Sequence, residues 1–117
     1  MRRLVIAGNW KMYKNNSEAV ATLTELKNLT KDVNNVDIGA PFTCLSDAVK
    51  AVAGSNVKIA AENVYPKIEG AYTGEISPKM LKDIGVEYVI LGHSERREYF
   101  KESDEFINQK VKAVLEI

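Results

Sequence analysis

Three short stretches of this sequence bring together residue types that can bind an anion and move protons. Asn9 and Lys11 follow one apolar run, Glu62 and Asn63 follow another, and His93, Ser94, Glu95 and Arg96 follow a third. A lysine ammonium beside a neutral amide and an imidazole can hold an anionic substrate, stabilise a developing enediolate oxygen and exchange protons with it. His93 is the only histidine, and it falls where Val86-Glu87-Tyr88-Val89-Ile90-Leu91 gives way at Gly92 to a dense polar run. In α/β proteins the carboxyl end of a strand is where ligands sit. By itself the stretch fits two readings: a ligand-binding strand end, or a solvated turn leading into a helix with ordinary surface charge. No metal set is present, because one histidine far from the single Cys44 does not make a zinc site. Neither GxGxxG nor GxxxxGK[ST], the phosphate-cradling loops, occurs.

The elements that must carry these residues are legible in order. Leu4 to Ala7 reads as a buried strand ended by Gly8, and Ser17 to Lys31 as a helix with Ala19, Val20, Leu23, Leu26 and Leu29 or Thr30 on one face. Val36 to Ala40 is a second strand, interrupted by Asp37, and Pro41 separates it from a helix over about Leu45 to Ala53. Val57 to Ala61 is a third strand, followed by a Pro- and Gly-containing loop to Ser77 whose length suits a functional segment. Ser77-Pro78 starts a short helix that Gly85 stops. The apolar run Val86 to Leu91 predicts a strand covered on both faces. A short helical turn through Tyr99 then precedes a last helix, capped by Ser103, with Asp104 and Glu105 in its positive first turn and Phe106, Ile107, Val111, Val114 and Leu115 as its buried stripe.

Four strand-then-helix units imply parallel strands with helices outside them. Two architectures fit: a small open sheet, or part of an eight-unit barrel, which takes about 250 residues. The final Val114-Leu115-Glu116-Ile117 stops in an apolar helical pattern without a glycine cap or polar tail. The expectation is therefore one incomplete domain over residues 1–117. The 16 basic and 16 acidic residues balance, which argues against a nucleic-acid or anionic-membrane surface. Arg2-Arg3 and Arg96-Arg97 are too short to form a basic patch. A lone cysteine excludes an internal disulfide and makes a reducing, cytoplasmic setting the default. Cys44 itself reads as a small, partly buried side chain. The apolar run Leu4 to Ala7 is shorter than a signal-peptide core of about 7 to 15 residues. No stretch approaches the roughly 20 apolar residues of a membrane span.

Three motifs carry a resemblance to a known family. GNWKM at Gly8 to Met12, GAYTGEIS at Gly70 to Ser77 and VILGHSERR at Val89 to Arg97 resemble triosephosphate isomerase in order and separation. The similarity runs along this whole chain and about the first half of that enzyme. It implies the first four β/α units of a (β/α)8 barrel. It also implies an enzyme that interconverts dihydroxyacetone phosphate and glyceraldehyde 3-phosphate, in glycolysis and gluconeogenesis, without a cofactor. By the same resemblance Asn9 and Lys11 bind substrate, Lys11 steadies the enediolate, and His93 is the electrophile, kept neutral by a helix N-terminus. Glu95 pairs with the lysine and assists proton movement, and Ser94 supports the catalytic base. The family is usually a homodimer, which implies that Thr73 and Glu75 reach towards Asn9 and Arg96 of a second copy. Cys44 and its neighbours would line the receiving pocket.

Glu62 departs from the family, whose usual sequence there is AAQN rather than AAEN. None of the glutamates matches the family's general base, and its lid loop and glycine-rich phosphate site have no counterpart in these residues. Two other classes remain open. One is an assembly module that pairs with itself or with a carboxyl-terminal half-barrel. The other is a small non-catalytic phosphate-binding domain.

Overall fold

The computed structural model describes residues 4–117, so the Arg2-Arg3 pair and the beginning of the amino-terminal segment lie outside it. Four strands, β1 (Ile6–Asn9), β2 (Val36–Ala40), β3 (Val57–Ala61) and β4 (Tyr88–Val89), form one parallel sheet in sequence order. The helices are α1 (Asn16–Leu29), α2 (Phe42–Ala51), α3 (Pro78–Asp83), α4 (Ser94–Tyr99) and α5 (Asp104–Leu115). Among the described residues no helix is long and apolar enough to cross a membrane.

Alternation along the two central strands decides what each face buries. Val36, Ile38 and Ala40 of β2 and Val57, Ile59 and Ala61 of β3 join Ala19 and Leu23 of α1 and Cys44, Leu45 and Ala48 of α2 in one buried cluster. On the opposite face the residues near the carboxyl ends, Gly39 and Ala60, are small, while Asp37 and Lys58 lie nearer the amino ends. A methyl group added at Gly39 would lie 2.7 Å from Ile90 Cδ1, so any larger residue there would oblige the isoleucine side chain beyond β4 to move.

Capping explains where the helices start. Asn15 closes a capping box, its side chain accepting from the Glu18 amide while Glu18 reaches back to the Asn15 amide. Ser77 and Ser103 accept from the amides of Met80 and Phe106 in the same way. The helix after β2 begins at Phe42, three residues before the predicted Leu45. Pro41, with φ −58° and ψ 151°, is its N-cap rather than a spacer, and the helix ends at Ala51 instead of Ala53.

Three expectations about burial are corrected. The first strand is not buried: it runs Ile6–Asn9, past Gly8, and Leu4, Val5 and Ile6 are exposed. The strand within Val86 to Leu91 is only Tyr88–Val89, with Tyr88 exposed, although the Ile90 amide still donates to the Ala61 carbonyl at 2.8 Å. Both lie at sheet edges, paired on one side only, where apolar content does not bring burial. In α5 the buried stripe is Ile107, Lys110 and Ala113, while Val111 and Leu115 are exposed because they fall on the neighbouring helix face. In α1 it is Thr30, not the exposed Leu29, that continues the half-buried stripe.

Open, apolar strand edges favour pairing with other chains. The 13.0 kDa chain is therefore expected to sediment as a dimer or larger species. A sharp monomeric boundary with full secondary structure would contradict this.

Candidate active site

Parallel register carries Asn9, at the carboxyl end of β1, onto the same rim as the residues that follow β4. Asn9 aligns with Gly39, Gly39 with Ala60 and Ala60 with Tyr88. Beyond β1 the chain turns sharply. The Trp10 amide donates to the Gly39 carbonyl at 2.9 Å, and the Lys11 amide donates to Asn9 Oδ1 at 3.0 Å. These bonds hold Lys11 at φ 54°, a left-handed conformation that costs a non-glycine residue of order 1–3 kcal/mol.

Because Asn9 Oδ1 is engaged by the Lys11 amide, its Nδ2 faces His93 Nδ1, 3.3 Å away. Nδ2 is a donor only, so Nδ1 accepts and the ring proton resides on Nε2. Nε2 is shielded from solvent and has no hydrogen-bond partner among the described residues. The imidazole thus presents one uncommitted N–H donor at the rim. His93 is itself the N-cap of α4, which places Glu95 in the first turn beside it.

Lys11 Nζ donates to Glu95 Oε1 at 2.6 Å, with both side chains well exposed. The hydrogen bond and charge of Glu95 raise the lysine pKa, and the hydrogen bond from Lys11 lowers that of Glu95. The pair therefore stays charged across the neutral range, with little stabilising effect because water screens it. Asn9, Lys11, His93 and Glu95 so form one contiguous set: an ammonium, a carboxylate, an amide and an imidazole donor.

Other expected site residues lie elsewhere. Ser94 opens α4 and is exposed. Asn63, two residues past the end of β3, does not join this set; its Oδ1 accepts from Lys110 Nζ at 2.7 Å. Thr73 and Glu75 are exposed on the loop between β3 and α3, which Tyr65 ties down by stacking on Tyr72 at 4.6 Å. Arg96 Nε donates to Glu102 Oε2 at 2.9 Å, and its guanidinium lies 4.7 Å from the Phe100 ring centre. Cys44, expected to be partly buried at a receiving pocket, is 0% exposed, with Sγ 3.6 Å from the Lys14 carbonyl. Its neighbours Phe42 and Thr43, not the thiol, face outward. The buried pair Lys110 and Glu102, joined by the part-buried Arg96, was not among the residues expected from sequence. Its one signal is position 110, three residues from both Ile107 and Ala113 on the buried stripe.

The family model for triosephosphate isomerase matches residues 4–117. The chain belongs to the triosephosphate isomerase family. It is 90% identical to a triosephosphate isomerase of Fusobacterium nucleatum, across 100% of this chain and 47% of that protein. It is 56% identical to one from Clostridium botulinum, across 97% of this chain and 46% of that protein. A crystal structure of triosephosphate isomerase from Bartonella henselae superposes with a TM-score of 0.90 at 38% identity, covering 96% of this chain and 47% of that one. The chain spans about half the length of the curated relatives it matches. Its four parallel strands and their helices are four β/α units of the triosephosphate isomerase barrel, a half-barrel.

Within this triosephosphate isomerase scaffold Glu62 lies under the rim. Burial raises its pKa, with the nearby Lys11 amide acting the other way, and Oε2 is shielded without a partner among the described residues. A carboxyl whose folded pKa is raised weakens the fold as pH climbs: the unfolded chain loses its proton first, and the penalty is complete above the folded pKa. Glu62→Gln is expected to raise the unfolding midpoint at neutral pH, with the gain vanishing near about pH 3, below the ordinary glutamate pKa, where the carboxyl is protonated in both states. Urea unfolding at the two pH values checks this; a gain that does not depend on pH would refute the charge explanation.

Proposed function

We propose that this chain supplies the electrophilic side of a triosephosphate isomerase active site. In the whole enzyme the reaction interconverts dihydroxyacetone phosphate and glyceraldehyde 3-phosphate through an enediolate. The observation that supports this reading best is the imidazole of His93, held at Nδ1 by Asn9 and left with an uncommitted Nε2–H beside the Lys11 ammonium. A base removes a proton from the carbon next to the carbonyl, and the electron pair moves onto the carbonyl oxygen. His93 Nε2–H donates to that oxygen and Lys11 offsets its new negative charge. The neighbouring hydroxyl then gives up its proton while the former carbonyl oxygen gains one from His93 Nε2, which is reprotonated by that hydroxyl. When the base returns its proton to the former carbonyl carbon, carbonyl and hydroxyl have changed places.

Asn9 has two tasks in this scheme, binding substrate and orienting His93. Glu95 keeps the ammonium charged and in place until substrate arrives, then assists proton movement. Ser94 contacts the base in its open position. None of these residues is a suitable base, so that group comes from the part of the enzyme these residues do not match. No cofactor enters the scheme.

A second copy completes the proposed assembly. Thr73 and Glu75 on the exposed loop extend towards Asn9 and Arg96 of the partner, over the surface formed by Phe42 and Thr43 above Cys44. The cytoplasm is the proposed location, since triose phosphates are metabolised there. The exposed β1 and β4 edges support a narrower second reading, in which the chain acts as a module that docks a complementary half-barrel.

A coupled isomerase assay separates these possibilities. The chain alone is expected to be silent, and mixing it with a separately made carboxyl-terminal half from the Fusobacterium nucleatum relative should restore turnover. In that mixture His93→Gln should reduce kcat by about 10²- to 10³-fold, the usual effect of removing one oxyanion donor. Turnover by the chain alone that disappears in His93→Gln would mean that the base lies within these residues and would overturn the proposed division of labour. Mixing without turnover, but with a stable complex, would favour the docking module.

A further inference from the structure

The short helix α4 carries His93 at its cap and Glu95 in its first turn, yet buries no residue of its own. With no fully buried side chain, the helix depends for its orientation largely on polar links, the Asn9–His93 bond at its cap and three ion pairs. Two of these pairs are exposed: Lys11 with Glu95 at 2.6 Å, and Arg97 with Asp104 at 2.5 Å. Exposed pairs of this kind are weak and screened by salt. The third differs, because Arg96 Nε reaches Glu102 Oε2 at 2.9 Å and the Glu102 side chain is only 4% exposed. The same oxygen accepts from Lys110 Nζ at 2.5 Å, and the lysine side chain is 2% exposed.

Lys110 is in turn fixed from the sheet. Its ammonium donates to Asn63 Oδ1 at 2.7 Å, two residues past the end of β3, and lies 4.8 Å from the Phe106 ring centre. One carboxylate between two cations leaves a surplus positive charge, which the Asn63 carbonyl and the aromatic face both favour. A continuous path thus runs from the β3 end through Asn63, Lys110, Glu102 and Arg96 into α4. Neither Lys110 nor Glu102 has a part in the proposed chemistry.

We propose that Lys110 and Glu102 are positioning residues: through Arg96 they fix the rotation of α4 and so the direction in which His93 and Glu95 face the site. The functional importance of this rests on the reading of His93 and Glu95 above, but the geometry can be tested without any isomerase activity.

The test is NMR of the isotope-labelled 117-residue chain beside Lys110→Met, Lys110→Arg and Glu102→Gln. Long-range proton–nitrogen correlations report the His93 tautomer, and amide shifts report α4 and the central strands separately. The parent chain should show the Nε2–H tautomer. In Lys110→Met the ratio of Nε2–H to Nδ1–H rings should fall by about tenfold, and the Glu95 and Arg97 amides should move while those of β2 and β3 stay in place. Lys110→Arg should restore most of the ratio, and Lys112→Met, on the exposed side of α5, should leave it unchanged.

A lowered unfolding midpoint with an unchanged His93 tautomer and unchanged α4 amides would overturn the proposal and leave Lys110 a purely structural residue. If Lys110→Met loses the β2 and β3 signals, Glu102→Gln, which keeps size and one acceptor oxygen, is judged by the same criteria. A tautomer shift together with a silent half-barrel mixture would sustain the positioning role and remove the isomerase reading.

Discussion

The site depends on the common direction of four hydrogen-bonded strands. In a parallel sheet every strand delivers its carboxyl end to the same side. Asn9 and His93 are 84 positions apart in the chain and meet only because β1, β2, β3 and β4 run the same way in close register. A slip of one residue in the β1–β2 pairing would turn Asn9 to the opposite face and break its bond to His93. The apolar clusters of β2, β3, α1 and α2 are therefore as much a part of the site as the polar groups above them. They hold the register that the polar groups need.

Charge is distributed at two depths. At the rim, Lys11 and Glu95 face water, so their attraction to each other is screened and an incoming anion can displace it. Below the rim, Glu102 and Lys110 are shielded, and burial would drive the Glu102 pKa up were it not for the hydrogen bonds and charges of Lys110 and Arg96, which lower it overall. The first pair suits exchange of partners and the second suits permanence. Glu62 fits neither pattern, since it is part-buried without a cation, and its charge is a cost to the fold.

What could be read beforehand follows from how local each signal is. Glycine, proline and serine punctuation gave correct bounds for β2 and β3, the start of α3 at Pro78 and the start of α5 at Asp104, because caps and turns are decided by residues within a few positions. That β1 and β4 are the sheet edges follows from the half-barrel resemblance, but their exposure was not legible in the runs themselves, since an apolar run looks alike whether it has one neighbour or two. Nothing adjacent in the sequence marks Lys110; its partners stand 8 and 47 residues away, and only the fold brings them in. Asn63 follows β3 as read, but its side-chain carbonyl is claimed by that same lysine. The meeting of Asn9, Lys11, His93 and Glu95 was legible from the rule that parallel strand ends share a rim and from the motifs, whereas the proton position on His93 required the Asn9 geometry.

The near-contact between Gly39 and Ile90 measures how the sheet bends. β2 and β4 are separated by two strand spacings, about 9.5 Å in a flat sheet, which is farther than an isoleucine side chain reaches. That Ile90 Cδ1 nevertheless occupies the space where a Gly39 methyl would go means that the sheet curls around the small residues of its inner face. Curvature here is encoded by what is missing: hydrogen at position 39 and a single methyl at Ala60. Bulkier groups there would flatten the arc, lengthen the chord between its outer strands and draw Asn9 away from His93 without altering either residue.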